Sequence, residues 1–520
     1  MSKNIATEKE IFGHPIGLFM LFFTEMWERF SYYGMKALLI LYLTASVTNI
    51  TKEGIFNPGL GWGQEDASSL YGWYTMLVYF TPVIGGIIAD RIFGFRKTIL
   101  IGAILMTLGH LSLAFEAMPT FYLGLILLIL GNGAFKPNIS SLVGQLYSEN
   151  NYSKKDAGYT IFYQGINIGA FLGTLLCGYF GEFHGWHYGF GLAGIFMLLG
   201  YIQFKLSQDM FGELGAAPKK EEKKEVKEEN KKLTKVEKDR LIVIGVLAFF
   251  SIFFWAAFEQ AGASMNIFAR DYTDRSLSGN GILIFKIISS IISASPLIIL
   301  TYLFIAMNKS IGKIYQTSMR FMTLTLIILW TAIGYMLYDQ FMTKDPEVPA
   351  TWFLTLNALF IFLLAPLFSK IWISLSKSKL NPNGPQKFAL GLIFLGVGFI
   401  PLIIGSANID IDPQYKAGMI FLVIVYLIHT IGELCLSPVG LSYVNKLAPT
   451  RLLGVLFGIW FLASGLGNKF AGLLSGKMEE IQSNSSLSDF FLILAGIPIV
   501  AGVILFILSF PLKKLMHGID

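Results

Sequence analysis

Long apolar runs alternate with short polar connections along the whole chain, and about fourteen of them are long enough to cross roughly 30 Å of hydrocarbon. They centre on residues 16–45, 70–89, 98–117, 120–146, 157–181, 188–207, 241–269, 282–307, 320–340, 351–375, 387–405, 417–446, 453–476 and 490–512. The pattern predicts an all-α membrane protein. The first run is chemically unlike the others, because residues 25–36, EMWERFSYYGMK, place ionic side chains inside it. Glu25, Glu28 and Arg29 stand at i, i+3 and i+4 and share one helical face, which Tyr32, Tyr33 and Lys36 continue. A charge at mid-bilayer costs roughly 2.5–3.5 kcal/mol, so this face is expected to look into a polar cavity as a binding site or proton path.

Connection charges give an orientation. The segments DRIFGFRK (90–97), SENNYSKKD (148–156), the Lys-rich 219–240, NKSIGK (308–313), SKSKLNPNGPQK (376–387) and NKLAPTR (445–451) carry several Lys or Arg each. DQFMTKDPEVPA (339–350), ANIDIDPQYK (407–416) and EEIQSNSSLSD (479–489) are acidic or poor in them. The positive-inside rule then puts both termini in the cytoplasm, and the number of spans is even. The first apolar run contains Glu25, Glu28 and Arg29 and lacks a small-residue exit, so it is expected to remain as the first span rather than be removed as a signal.

Composition narrows the class. Of 520 residues, 54% are hydrophobic and 14% charged, against roughly 25% charged in an average soluble domain. The net charge of +6 fits basic cytoplasmic loops better than a nucleic-acid partner. Cys177 and Cys435 both lie in apolar stretches, which argues against a disulfide scaffold or structural zinc, and His110, His187 and His429 have no metal-ligand spacing. No nucleophile–base pair, HExxH or phosphate loop marks an enzyme. Residues 216–240, AAPKKEEKKEVKEENKKLTKVEKDR, form a charged low-complexity run that cannot bury a core and reads as a linker. Six spans, a linker and a second bundle suggest the major facilitator architecture, in which substrate binds near the midplane between two halves. The expected organisation is a six-helix bundle over 1–207, a linker over 208–240 and a second six-helix bundle over 241–520.

Eight motifs in order make the reading specific. ExxERFxYYG at Glu25–Gly34, GGIIADRIFGFRKT (85–98), FKPNISSLVGQLY (135–147) and FYQGINIGAFLG (162–173) lie in the first half. FWAAFEQAG (254–262), WFLTLNALFI (352–361), GELCLSPVGLS (432–442) and LFGIWFLASGLGN (456–468) lie in the second. Together they resemble the proton-dependent oligopeptide transporter family, the peptide transporter branch of the major facilitators, over most of the chain. The resemblance implies a proton-coupled importer of di- and tripeptides in the cell (inner) membrane, acting as a monomer by alternating access. It implies no cofactor, with protons as the coupling ion. Two spans between Gln260 and Asn357, at about 282–340, interrupt the usual register and are read as an accessory helix pair of the second half with a scaffold role; Lys286 within it is expected to snorkel to the interface. A related carrier of another small solute, such as nitrate, is the alternative, against which the full first motif and Glu433 argue.

A peptide always offers an ammonium and a carboxylate while its side chains vary, so a general site needs fixed charges of both signs and an adaptable middle. Arg29, Lys36 and Lys136 supply positive charge, Glu259 and Glu433 negative charge, and Tyr32, Tyr33, Tyr74, Trp255 and Trp460 could line the middle. The resemblance implies that Arg29, Lys136 and nearby tyrosines take the carboxyl end and Glu433 the amino end. Asn167 and Asn357 hydrogen-bond the peptide, and Trp460 with Ser464 borders the pocket. Glu25, Glu28 and Glu259 are the implied proton sites, with ion-pair exchange among Glu28, Arg29 and Lys136 linking protonation to binding. Lys36 stands where many members have Arg, which weakens a bidentate grip there. Each residue also has a structural reading: an ion-pair network for Glu25, Glu28 and Arg29, neutralisation of Glu28 by Lys136, interhelical struts for Glu259 and Glu433, packing hydrogen bonds for Asn167 and Asn357, and ordinary core for the aromatics.

Overall fold

A computed structural model describes residues 5–51, 54–148, 152–217, 233–378, 381–412, 414–436 and 439–519; the central part of the expected linker, 218–232, lies outside them. Backbone groups in a bilayer must be paired internally, and the apolar runs accordingly fold as helices. In chain order these are α1 (Ile16–Thr44), α2 (Gln64–Ile88), α3 (Gly94–Leu113), α4 (Met118–Gln145), α5 (Tyr152–Phe183), α6 (Trp186–Leu206) and α7 (Lys235–Phe258). They continue as α8 (Asn280–Ile311), α9 (Gln316–Met342), α10 (Trp352–Ser376), α11 (Gly384–Val397), α12 (Met419–Leu436), α13 (Leu453–Gly476) and α14 (Leu487–Leu515). Among the described residues twelve stretches qualify as membrane spans by length, apolarity and low charge, with α2 and α3 joined in one 50-residue run, Gln64–Leu113, and α1 not among them. α1 is as long as α14, and what sets it apart is its ionic side chains.

Three expected runs are not single helices. α7 stops at Phe258, a tight turn covers Glu259–Gly262, and a short helix resumes over Ser264–Asp271. Gln260 stabilises the break: its amide donates to the carbonyls of Ala256 (3.1 Å) and Ala471 (3.0 Å) and accepts from the Ser264 hydroxyl (2.5 Å). α11 ends at Val397 and helix resumes over Ile400–Ser406, where Pro401 sits in the first turn and needs no partner for a missing N–H. α12 likewise ends at Leu436, with a further short helix at Gly440–Leu447.

The chain forms two compact units. Unit 1 comprises residues 1–60, 81–219 and 275–355; unit 2 comprises 61–80, 220–274 and 356–520. In unit 1, α1 lies against α5 and α6, and α3 against α4. The α1–α5 approach is set by glycines: methyl groups at Gly165, Gly169 or Gly173 would strike Phe22, the Met26 carbonyl or the Phe30 carbonyl. Nearly every residue of α1 is buried as a result. In unit 2, α11 packs on α14 and α12, and α7 on α13.

These units differ in extent from the two halves expected from sequence. Residues 275–355, which hold the accessory pair α8 and α9, cluster with unit 1, whereas the expected boundary grouped them with the second bundle. The Tyr179 hydroxyl on α5 donates to Asp339 of α9 (2.6 Å), and Ser207 bonds Ser318 (2.9 Å). Glu182 accepts from the backbone N–H groups of Ala350 and Thr351 (2.8 and 2.9 Å), so a carboxylate faces the N-terminus of α10, where the helix dipole favours it. Trp352 adds a bond to the Leu175 carbonyl (3.0 Å). Lys286 turns towards the end of α9 and donates to the carbonyls of Phe341 (3.0 Å) and Thr343 (3.3 Å). The first part of α2 belongs to unit 2 for similar reasons: Gln64 donates to the Ser475 carbonyl (2.8 Å), Ser68 bonds Ser475 (3.0 Å), and Gly72 meets Gly472.

Candidate functional site

Each unit holds a buried polar cluster. In unit 1 Glu25, Glu28 and Arg29 of α1 meet as the helical spacing requires: Arg29 Nε lies 2.9 Å from Glu25 Oε1 and also pairs with Glu28. All three side chains are 3% exposed or less, so the pairs act without competing water. Asn132 on α4 donates to Glu28 Oε1 (2.9 Å), fixing the carboxylate. Arg29 lies over the Tyr32 ring (5.5 Å to the centroid), Lys36 over Tyr33 (5.9 Å), and the two rings meet edge to face. Lys136, one turn after Asn132 on α4, interacts electrostatically with Glu28, Glu25, Arg29 and Lys36.

The cluster keeps unused capacity. Glu25 Oε2 and Arg29 Nη2 are buried without a hydrogen-bond partner among the described residues, as is Asn167 Nδ2 on α5. An unmade bond to a buried charged group costs more than a neutral one, so these atoms favour an incoming proton or a carboxylate. Asn167 stands between Gly165 and Gly169, the glycines that bring α5 onto α1.

In unit 2, Asn357 Nδ2 on α10 donates to Glu433 Oε2 (2.8 Å) and Thr430 Oγ1 (3.2 Å), both on α12. Thr430 in turn donates to the Tyr426 carbonyl (2.7 Å), which directs its lone pairs towards Asn357. Glu259, buried in the turn after α7, interacts electrostatically with Glu433. Two carboxylates that feel each other form a place for a cation or a proton. Trp255 stands one turn before Glu259, and its buried indole N–H has no acceptor among the described residues. Trp460 meets the edge of Phe388 (6.3 Å), and Ser464 donates back to the Trp460 carbonyl (3.1 Å). Tyr74 is buried in the part of α2 that belongs to unit 2.

Glu25, Glu28, Arg29, Tyr32, Tyr33, Lys36, Lys136 and Asn167 fall in unit 1. Tyr74, Trp255, Glu259, Asn357, Glu433, Trp460 and Ser464 fall in unit 2. Two participants escaped the sequence reading. Asn132 precedes Lys136 by four residues and so shares its helical face, a signal that the sequence did carry. Thr430 precedes Glu433 by three, the same kind of signal in a more apolar run.

A helical chain of this length with ionic clusters sealed inside both units is a multi-pass membrane protein of the major facilitator fold. The chain belongs to the proton-dependent oligopeptide transporter (POT) family, whose sequence profile matches residues 96–228 and 313–490. It is 33% identical to the peptide transporter YePEPT of Yersinia enterocolitica, over 99% of this chain and 98% of that one. It is 32% identical to a di-/tripeptide transporter of Lactococcus lactis, over 99% of each. Among solved structures it is similar to a peptide transporter POT in complex with alafosfalin, with a TM-score of 0.76 and 30% identity over 99% of this chain and 98% of that one.

Proposed function

We propose that this protein imports di- and tripeptides together with protons by alternating access. The observation that carries the reading is the division of charge. Unit 1 offers Arg29, with an unfilled Nη2, beside Lys136 and Lys36; unit 2 offers Glu433, held by Asn357, beside Glu259. Arg29 and Lys136 receive the peptide carboxylate, Glu433 the ammonium, and Asn167 and Asn357 its amide groups. Names of relatives such as the di-/tripeptide transporter of Lactococcus lactis support the substrate class. A carrier of nitrate would gain nothing from Glu433, which disfavours that alternative.

Coupling follows from competition for Arg29. While Glu25 and Glu28 are ionised they hold the guanidinium; a proton on either carboxyl releases it to bind the substrate carboxylate. Return of the proton to the other side restores the ion pair and expels the peptide. A proton crossing about 100 mV releases roughly 2.3 kcal/mol and one pH unit adds about 1.4, enough to concentrate a substrate several-hundred-fold. No bond chemistry and no cofactor beyond the proton enters. A monomer in the cell (inner) membrane, with both termini cytoplasmic, completes the reading.

The test is purified protein in liposomes with an imposed pH gradient and a labelled dipeptide inside or outside. Uphill uptake inhibited by unlabelled di- and tripeptides, and not by nitrate or free amino acids, is expected. Inhibition by nitrate alone contradicts the proposal.

A further inference from the structure

A cavity of about 510 Å³ lies within unit 2 where α10 stands off from α11, α12 and α14. Its volume falls in the roughly 300–1,000 Å³ range of ligand sites, and its wall is apolar: Phe368, Leu390, Phe394, Cys435 and Phe506. None of the ionic side chains assigned to transport lines it. Phe394 and Phe506 are also partly exposed, so the cavity opens along the outer surface of the helices, which in a membrane protein is lipid.

Its polar end has a distinct chemistry. Trp372 lines the cavity, and its indole N–H is buried without an acceptor among the described residues. Lys387 holds its ammonium 4.8 Å from the centroid of the Trp372 ring. Lys370 on α10 and Lys377, just past its end, flank Trp372 in sequence, and both are exposed. Residues 348–409 contain four lysines and no Asp or Glu, and a further cation, Lys446, acts electrostatically on Lys387. This end coincides with the connection between α10 and α11, one of the basic connections on the side read as cytoplasmic, where anionic lipid is concentrated.

We propose that this cavity is a binding site for an anionic phospholipid. One acyl chain fills the apolar volume between α10 and α11. The headgroup phosphate accepts from Trp372 Nε1 and pairs with Lys387, with Lys370 and Lys377 adding charge nearby. The occupant packs against the same helices that carry Asn357 and Glu433, so bound lipid supports α10, which otherwise has few buried residues beyond its first turns.

The experiment is native mass spectrometry of the full chain in detergent, titrated with phosphatidylglycerol and with phosphatidylethanolamine of identical acyl chains. The first phosphatidylglycerol should bind at least fivefold more tightly than phosphatidylethanolamine. Lys387→Ala and Trp372→Phe should each remove most of that preference, whereas Lys313→Ala, in another basic connection, should leave it unchanged. Leu390→Trp, which fills the cavity, should weaken both lipids. Phosphatidylglycerol with brominated chains should quench part of the tryptophan fluorescence, and less of it in Trp372→Phe. Equal binding of the two lipids, or an unaltered preference in both Lys387→Ala and Trp372→Phe, overturns the proposal.

Discussion

The clusters of the two units solve the same electrostatic problem by different means. In unit 1 the ion pairs are local: Glu25, Glu28 and Arg29 pair along one face of α1, and α4 adds the charge of Lys136 and the hydrogen bond of Asn132. In unit 2 the partners come from separate elements, with Asn357 on α10, Glu433 on α12 and Glu259 in the turn after α7. Ion pairs made within one helix move with it, so Glu25, Glu28 and Arg29 keep theirs when the neighbouring helices shift. A cluster assembled across helices changes geometry whenever α10 shifts against α12. This contrast suits unit 1 to switching by protonation and unit 2 to sensing whether a substrate bridges its groups.

The strongest break in the comparison is Arg29→Ala. It leaves two buried carboxylates without their cation and should cost about 3–5 kcal/mol in stability, read by thermal unfolding in detergent, along with loss of gradient-driven uptake. Glu25→Gln and Glu28→Gln spare the cation but remove a titrating group, and should abolish uphill uptake with the protein still in the membrane. Normal accumulation in both would make the cluster structural only.

In unit 2 the effect should depend on substrate. Glu433→Gln should weaken binding of peptides with a free amino group by about 2–5 kcal/mol and affect N-acetylated peptides far less. Equal losses for both, measured by equilibrium binding, would remove the ammonium role. Glu259→Gln should retain peptide exchange across the membrane without a gradient while losing uphill accumulation.

The supporting residues rank below these. Asn132→Ala deletes a bond to a charged acceptor and should destabilise by about 1.5–3 kcal/mol, whereas Thr430→Val, which leaves Glu433 with Asn357, should cost about 0.5–1.5. A reversed order in unfolding experiments would mean that unit 2 is the more tightly constrained cluster. Lys286→Ala, on α8 facing the carbonyls at the end of α9, should change stability by only about 0.3–1 kcal/mol and transport by less than about twofold.

The contrast also explains what the sequence disclosed. Glu25, Glu28 and Arg29 were legible from residue spacing alone, since i, i+3 and i+4 on a helix leave no other geometry. Asn357 and Glu433 are 76 positions apart, and only motif resemblance joined them before the hydrogen bond was seen. Helix positions followed from apolar length. The break after Phe258 did not, because it depends on Gln260 reaching the Ala471 carbonyl, a partner over two hundred residues away. The attachment of α8 and α9 to unit 1 was hidden for the same reason: Tyr179–Asp339 and Glu182–Thr351 are long-range contacts that connection charges and hydropathy do not encode.

Coupled movement of peptide and proton is the claim on which the rest depends, and a pH-sensitive dye sealed inside liposomes measures it directly. With no gradient imposed and the membrane voltage clamped by potassium and valinomycin, adding a dipeptide outside should acidify the lumen at a rate that follows peptide uptake. Glu25→Gln and Glu28→Gln should abolish the signal. Peptide entry at the wild-type rate with no change in internal pH would contradict the account.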